Sequence, residues 1–119
     1  MKNRIALLAL MIVFGPATMA EAADPVGTPE NGKKLFMQNN CYTCHGTVGQ
    51  GGERGAGPKL APNPFPFVAF EMQLRQPRGV MPRYPEKFVS NQDLADIYSY
   101  VASIPSGPKA ADIPLLKSL

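Results

Sequence analysis

The chain is poor in the residues from which most metal and redox sites are made: 119 residues hold two cysteines and one histidine. Zinc takes four tetrahedral ligands, often as two separated pairs, and neither a second cysteine pair nor a second imidazole exists to complete such a set. Charge is sparse and nearly balanced, with 12 basic and 9 acidic residues for a net +3. No basic run with interleaved aromatics occurs, which excludes a nucleic-acid surface. Internal repeats and low-complexity tracts are missing. So is any sustained apolar–polar alternation, and a chain without a strand pattern is a small all-α protein.

One long apolar run is present, "IALLALMIVFGPA" from Ile5 to Ala17, behind the basic start of Lys2 and Arg4. It falls short of the roughly 20 residues of a membrane span, so an uncleaved anchor fits it poorly. The small residues Ala20 and Ala22 that follow offer a cleavage point after Ala22, and residues 1–22 read as a secretory signal peptide. The organisation expected is a signal over 1–22, a domain over 23–105 and a C-terminal tail over 106–119. Loss of Lys2, Arg4 and Glu21 leaves 10 basic and 8 acidic residues, a net +2, against 12 and 9 in the full chain. Export places the protein in the periplasm with no membrane span in its mature form. Its cysteines then meet an oxidising compartment.

Thirteen prolines and eleven glycines cut the mature chain into short pieces, three of which read as helices. "TPENGKKLFMQNN" opens with Thr28 as N-cap, Pro29 at the first helical position and Glu30 at the positive dipole end. "PFVAFEMQLRQ", Pro66 to Gln76, is the second. In "SNQDLADIYSYVASIP", Ser90 and Asp93 form a capping-box start. Leu94, Ile97, Tyr98, Val101 and Ile104 then share one face, and Pro105 stops the helix. The loop "GTVGQGGERGAGPKL" lacks the Lys-Ser/Thr ending of a phosphate-binding loop. The tail "SGPKAADIPLLKSL" carries Ile113, Leu115, Leu116 and Leu119, which are expected to be covered, by folding back onto the domain in preference to docking to a partner.

The entire Cys/His inventory sits in "CYTCH", residues 41–45. A disulfide between Cys41 and Cys44 would close a tiny loop and remove little chain entropy. A thioredoxin-type pair needs a strand before it and a βαβ setting, and neither exists here. What remains is C-x-x-C-H as the attachment signature of a c-type haem. Two thiols must reach two vinyl groups on one side of the porphyrin, and the next residue must send its imidazole to the iron. His45 therefore takes one axial position. With no second histidine, the sixth ligand is a methionine sulphur, a less usual donor such as lysine, or nothing stable. Met37 stands only four residues before Cys41, and Met72 lies inside the second helix with a core role expected. Met81, in "RQPRGVMPRYP", is pushed out of helical space by Pro82 and presents its thioether from an extended loop.

With "CYTCH", "GPKL" and "GVMPRY" in place, the chain resembles a monohaem class I cytochrome c over nearly the whole mature sequence. The resemblance implies a small fold of three to four helices wrapped around one covalently attached haem c. Gly32 and Phe36 on the first helix would cross Ile97 and Tyr100 on the last. By the same likeness the carbonyl of Pro58 accepts a hydrogen bond from His45, and "GVMPRY" is the loop that brings Met81 to the iron. The resemblance extends to the cytochrome subunits of periplasmic dehydrogenases.

The function implied is electron transfer, one electron at a time, between redox protein partners: a dehydrogenase donor and an oxidase or other cytochrome as acceptor. Arg75, Arg78, Arg83 and Lys87 flank the Met81 loop and would form a positive rim for an acidic partner. The competing reading is a haem enzyme or gas-binding protein with an open sixth position, which requires that Met81 not bind. Five-coordinate cytochromes of the gas-binding kind carry C-x-x-C-H near the C-terminus of a four-helix bundle, whereas here it lies close to the mature N-terminus.

Overall fold

The computed structural model describes residues 25–53, 56–62 and 64–116. The export-signal reading of residues 1–22 and the tail's Leu119 lie outside the described residues. Four α-helices carry the fold: α1 (Pro29–Gln38), α2 (Tyr42–His45), α3 (Phe67–Arg75) and α4 (Asn91–Ser103). Two 3-10 turns, Ala110–Asp112 and Pro114–Leu116, follow in the tail. No strand occurs among the described residues. The all-α expectation holds, and the single turn of α2 is the fourth helix.

The first and last helices cross tightly because α1 has no side chain at Gly32, where it meets the Asp96 backbone of α4. A β-carbon on Gly32 would overlap the Asp96 carbonyl oxygen, so only glycine lets α1 settle this close to α4. Phe36 and Tyr100 fill the crossing edge-to-face, with ring centroids 5.6 Å apart and planes at 62°. Around them Val89, Leu94, Ile97 and Val101 are fully buried and form one core with Phe70 and Leu74 of α3. The Tyr100 hydroxyl donates to the Thr47 carbonyl at 2.8 Å, tying the crossing to the loop after α2.

Helix α4 starts as its sequence dictates. Ser90 Oγ accepts the Asp93 N–H at 3.1 Å and Asp93 Oδ2 accepts the Ser90 N–H at 2.9 Å, a complete capping box. Helix α1 departs from expectation. Thr28 occupies the N-cap position in extended conformation, but its side chain caps nothing. Its main-chain N–H donates instead to Asp96 Oδ1 of α4 at 2.8 Å, and Asn31 Nδ2 donates to Asp96 Oδ2 at 2.7 Å. A carboxylate from the far end of the chain thus satisfies the start of α1, where the helix dipole favours negative charge.

Two further expectations are corrected. Met72 does not belong to the core: it is 59% exposed. Helix α3 turns Phe70 and Leu74 inward, four residues apart, and Phe67 with Phe70 meets the Tyr98 ring edge-on at 5.2 and 5.3 Å. Met72 stands two residues from either buried position and so falls on the outer face. Of the tail's described aliphatics only Ile113 is even half-buried. Leu115 is 82% exposed and Leu116 is exposed as well, because the proline-interrupted 3-10 turns build no continuous apolar face.

Candidate functional site

Helix α1 ends at Gln38, and Asn40, with φ of 57°, reverses the chain into α2. Asparagine tolerates this left-handed conformation better than most residues. The turn is held by Thr43 Oγ1, which donates to the Asn40 carbonyl at 2.7 Å. Cys41 is the N-cap of α2, and one turn of helix sets Cys44 and then His45 directly after it. The two cysteines form no disulfide with each other, and Cys41 is half-buried while Cys44 is exposed. Burial pushes the Cys41 thiol above its ordinary pKa, against a smaller lowering by its hydrogen bond with Tyr84.

His45 is buried at 8% exposure, and its Nδ1 lies 2.9 Å from the Pro58 carbonyl oxygen. A carbonyl only accepts, so Nδ1 carries a proton, and in the neutral ring Nε2 is then the nitrogen with the free lone pair. This is the tautomer in which a histidine binds a metal, with its ring fixed by the second hydrogen bond. The glycine-rich loop exists to deliver that carbonyl. The Gly51 N–H donates to the His45 carbonyl at 2.9 Å and the Gly52 N–H to the Gly57 carbonyl at 3.1 Å, which folds the loop back over α2. At Gly57 a β-carbon would press on the Cys44 carbonyl and stand 3.1 Å from His45 Nδ1, so the residue before Pro58 has to be glycine.

All five residues singled out in the sequence (Cys41, Cys44, His45, Pro58 and Met81) line one cavity of about 460 Å³. Leu60, Phe70, Leu74 and Ile97 give it apolar walls, while Phe65 and Val80 are exposed and mark its mouth. That volume lies within the range of small-molecule and cofactor sites. An imidazole nitrogen, a thioether and two thiols facing an apolar chamber are the donor set that haem c takes. No cluster of three or more His, Cys, Asp or Glu able to hold a bare metal ion occurs among the described residues. The residues present fit the group that the motif implies.

Among Met37, Met72 and Met81, Met81 alone reaches this cavity. Met37 packs half-buried against the core. The loop that carries Met81 is clamped at its base. The Tyr84 N–H donates to the Leu74 carbonyl at 2.9 Å, and the Tyr84 hydroxyl donates to the Asn39 carbonyl at 3.1 Å. Burial pushes the Tyr84 phenol up to about 12, with the nearby Cys41 adding to the shift, so it remains a hydroxyl donor throughout the working range of pH.

Arg75 is not part of a positive rim. Its Nη1 donates to the Tyr84 carbonyl at 2.8 Å and to the Val89 carbonyl at 2.7 Å, and its Nη2 to Asn91 Oδ1 at 2.7 Å. The guanidinium is a strut between α3, the methionine loop and the start of α4. Arg78, Arg83 and Lys87 are exposed, as a rim requires. Sequence reasoning also missed Gln73, whose Nε2 lies 3.6 Å from Met81 Sδ. The signal available was its place one residue before Leu74, on the flank of the buried face.

Residues 27–101 match the family described as Cytochrome C oxidase, cbb3-type, subunit III. No curated protein and no solved structure matches the chain.

Proposed function

The chain belongs to the cbb3-type cytochrome c oxidase subunit III family, and from that premise we propose that it carries single electrons through one haem c held between His45 and Met81. It is a class I cytochrome c domain, and haem-based electron transfer is its work. When bound, haem c supplies a one-electron ferric/ferrous couple. Cys41 and Cys44 would anchor the group through thioethers. His45 Nε2 and Met81 Sδ would be the two donors this chain offers its iron. The Pro58 carbonyl holds the imidazole and raises its basicity, while a thioether as the other donor favours the reduced state and a higher potential. Leu60, Phe70, Leu74 and Ile97 exclude water.

One observation carries this reading: the proton-locked His45 and Met81 line the same apolar chamber as both cysteines. Met81 in that position weighs against a haem enzyme or gas sensor, which needs an open site. Partners are redox proteins, with a dehydrogenase as donor and an oxidase or other cytochrome as acceptor. They would approach the cavity mouth, where exposed Phe65 and Val80 adjoin exposed Arg78. The protein works in the periplasm, a proposal supported by the leader pattern of residues 1–22. No helix among the described residues is long and apolar enough to cross a membrane.

The test is spectroscopic. Matured ferric protein is expected to show the weak red absorption band of methionine-ligated iron, and the ferrous form to resist carbon monoxide. Met81→Ala should abolish the band and admit carbon monoxide. A band that survives that substitution would remove Met81 from the iron, and a mass showing both thiols unmodified would end the reading altogether.

A further inference from the structure

Gln73 of α3 is half-buried at the edge of the cavity and holds the methionine loop from inside. Its Oε1 accepts the Arg78 N–H at 3.4 Å. Its Nε2 donates to the Arg78 carbonyl at 3.4 Å and to Met81 Sδ at 3.6 Å. The amide can sit only one way round. Turned over, it would set an NH₂ against the Arg78 N–H and an oxygen against both the Arg78 carbonyl and the sulphur, every contact then pairing like with like.

We propose that Gln73 is a positioning residue for Met81: its amide braces the loop through Arg78 and its N–H engages one lone pair of the Met81 sulphur, leaving the other to face the metal. This rests on the reading of Met81 as an axial ligand. A thioether is a weak acceptor, but sulphur on a loop bounded by Gly79 and Pro82 has few other restraints, and one directed donor fixes which way it faces. The neck of the loop is closed independently by Arg75 and by the Tyr84–Leu74 hydrogen bond. Loss of Gln73 therefore frees the Met81 segment without opening the neck.

Displacement of the sulphur by imidazole in the ferric holoprotein reads the strength of this restraint, since imidazole binds only after Met81 leaves. Gln73→Leu removes every polar contact and should tighten apparent imidazole binding about three- to tenfold, the worth of one net hydrogen bond. Gln73→Glu keeps one arm of the brace, the acceptor for the Arg78 N–H, and removes the donor to both the Arg78 carbonyl and the sulphur. At neutral pH it still accepts the Arg78 N–H but has no proton for the sulphur, and it should tighten imidazole binding to a similar extent. Wild-type affinity in Gln73→Glu with tightening in Gln73→Leu would reduce the residue to a loop brace and overturn the proposal. Unchanged affinity in both variants, with the red band present in the wild type, would overturn it while leaving Met81 ligation standing. Absence of that band in the wild type itself would overturn both readings together.

Discussion

A contact that joins the two ends of the fold lies away from the cavity, at Asp96. The side chain is buried, at 4% exposure, and its two oxygens accept three hydrogen bonds. These come from the Thr28 N–H at 2.8 Å, Asn31 Nδ2 at 2.7 Å and Gln92 Nε2 at 3.0 Å. Burial alone would raise its pKa, but the donors from Asn31, Thr28 and Gln92 outweigh it and hold the carboxyl below the ordinary carboxylate range. Asp96→Ala strands two amide side chains and the N–H of Thr28, the N-cap residue of α1, against α4. Hydrogen bonds to a charged acceptor contribute about 1.5–3 kcal/mol each, but they are not additive and the amides can partly turn to water, so the expected cost is about 3–4 kcal/mol. Asp96→Asn keeps the shape and one acceptor but turns an NH₂ toward another donor, and should cost about half as much. The pH dependence has a fixed sign. A carboxyl with a depressed folded pKa contributes stability that is present above the unfolded value of about 3.9 and is lost as pH falls through the folded pKa. Denaturant unfolding of the holoprotein at neutral pH and again below about pH 3 checks both points, the lower pH lying under the unfolded carboxyl range. The gap between wild type and Asp96→Asn should narrow on acidification. A gap that is absent at neutral pH, or that stays constant across the range, would refute the idea that an ionised Asp96 clasps the helices.

Two further outcomes are expected. Arg75→Ala should destabilise the holoprotein by about 2 kcal/mol in denaturant unfolding, a value reduced because the guanidinium is only half-buried. Arg75→Lys should recover less than half of this, because one ammonium cannot reproduce the fork that spans Tyr84, Val89 and Asn91; full recovery would mean that charge alone matters there. If Arg78, Arg83 and Lys87 steer an acidic redox partner, its electron-transfer rate should fall about tenfold or more between roughly 0.01 M and 1 M salt, as the screening length shrinks from about 30 Å to 3 Å. A flat rate would dismiss the rim.

What could be read in the sequence follows from how local each signal is. That Cys41, Cys44 and His45 share one cavity with Met81 could be expected, because the first three are near neighbours in the chain and Pro82 dictates the backbone of Met81. The capping box of α4 spans three residues and was equally plain. Asp96 was not legible: it sits beside Ile97 in an apolar helix, and Thr28 and Asn31, which explain it, lie 68 and 65 positions away. Arg75 misled for a related reason. A charge near a loop reads as solvated until the carbonyls of Tyr84 and Val89 are seen to converge on it. Met72 is a different kind of miss, since its position could have been read. Phe67, Phe70 and Leu74 already follow the three-and-four spacing of a buried face, and a residue two places from both Phe70 and Leu74 cannot share it. The aliphatic tail misled because hydrophobic composition was taken as evidence of burial, whereas burial needs a face. Pro108 and Pro114 interrupt the chain before one can form, and Leu115 and Leu116 stay in solvent. The C-x-x-C-H pattern was thus more legible than the scaffold, because it occupies five consecutive residues while the clasp between α1 and α4 exists only once the chain has closed on itself.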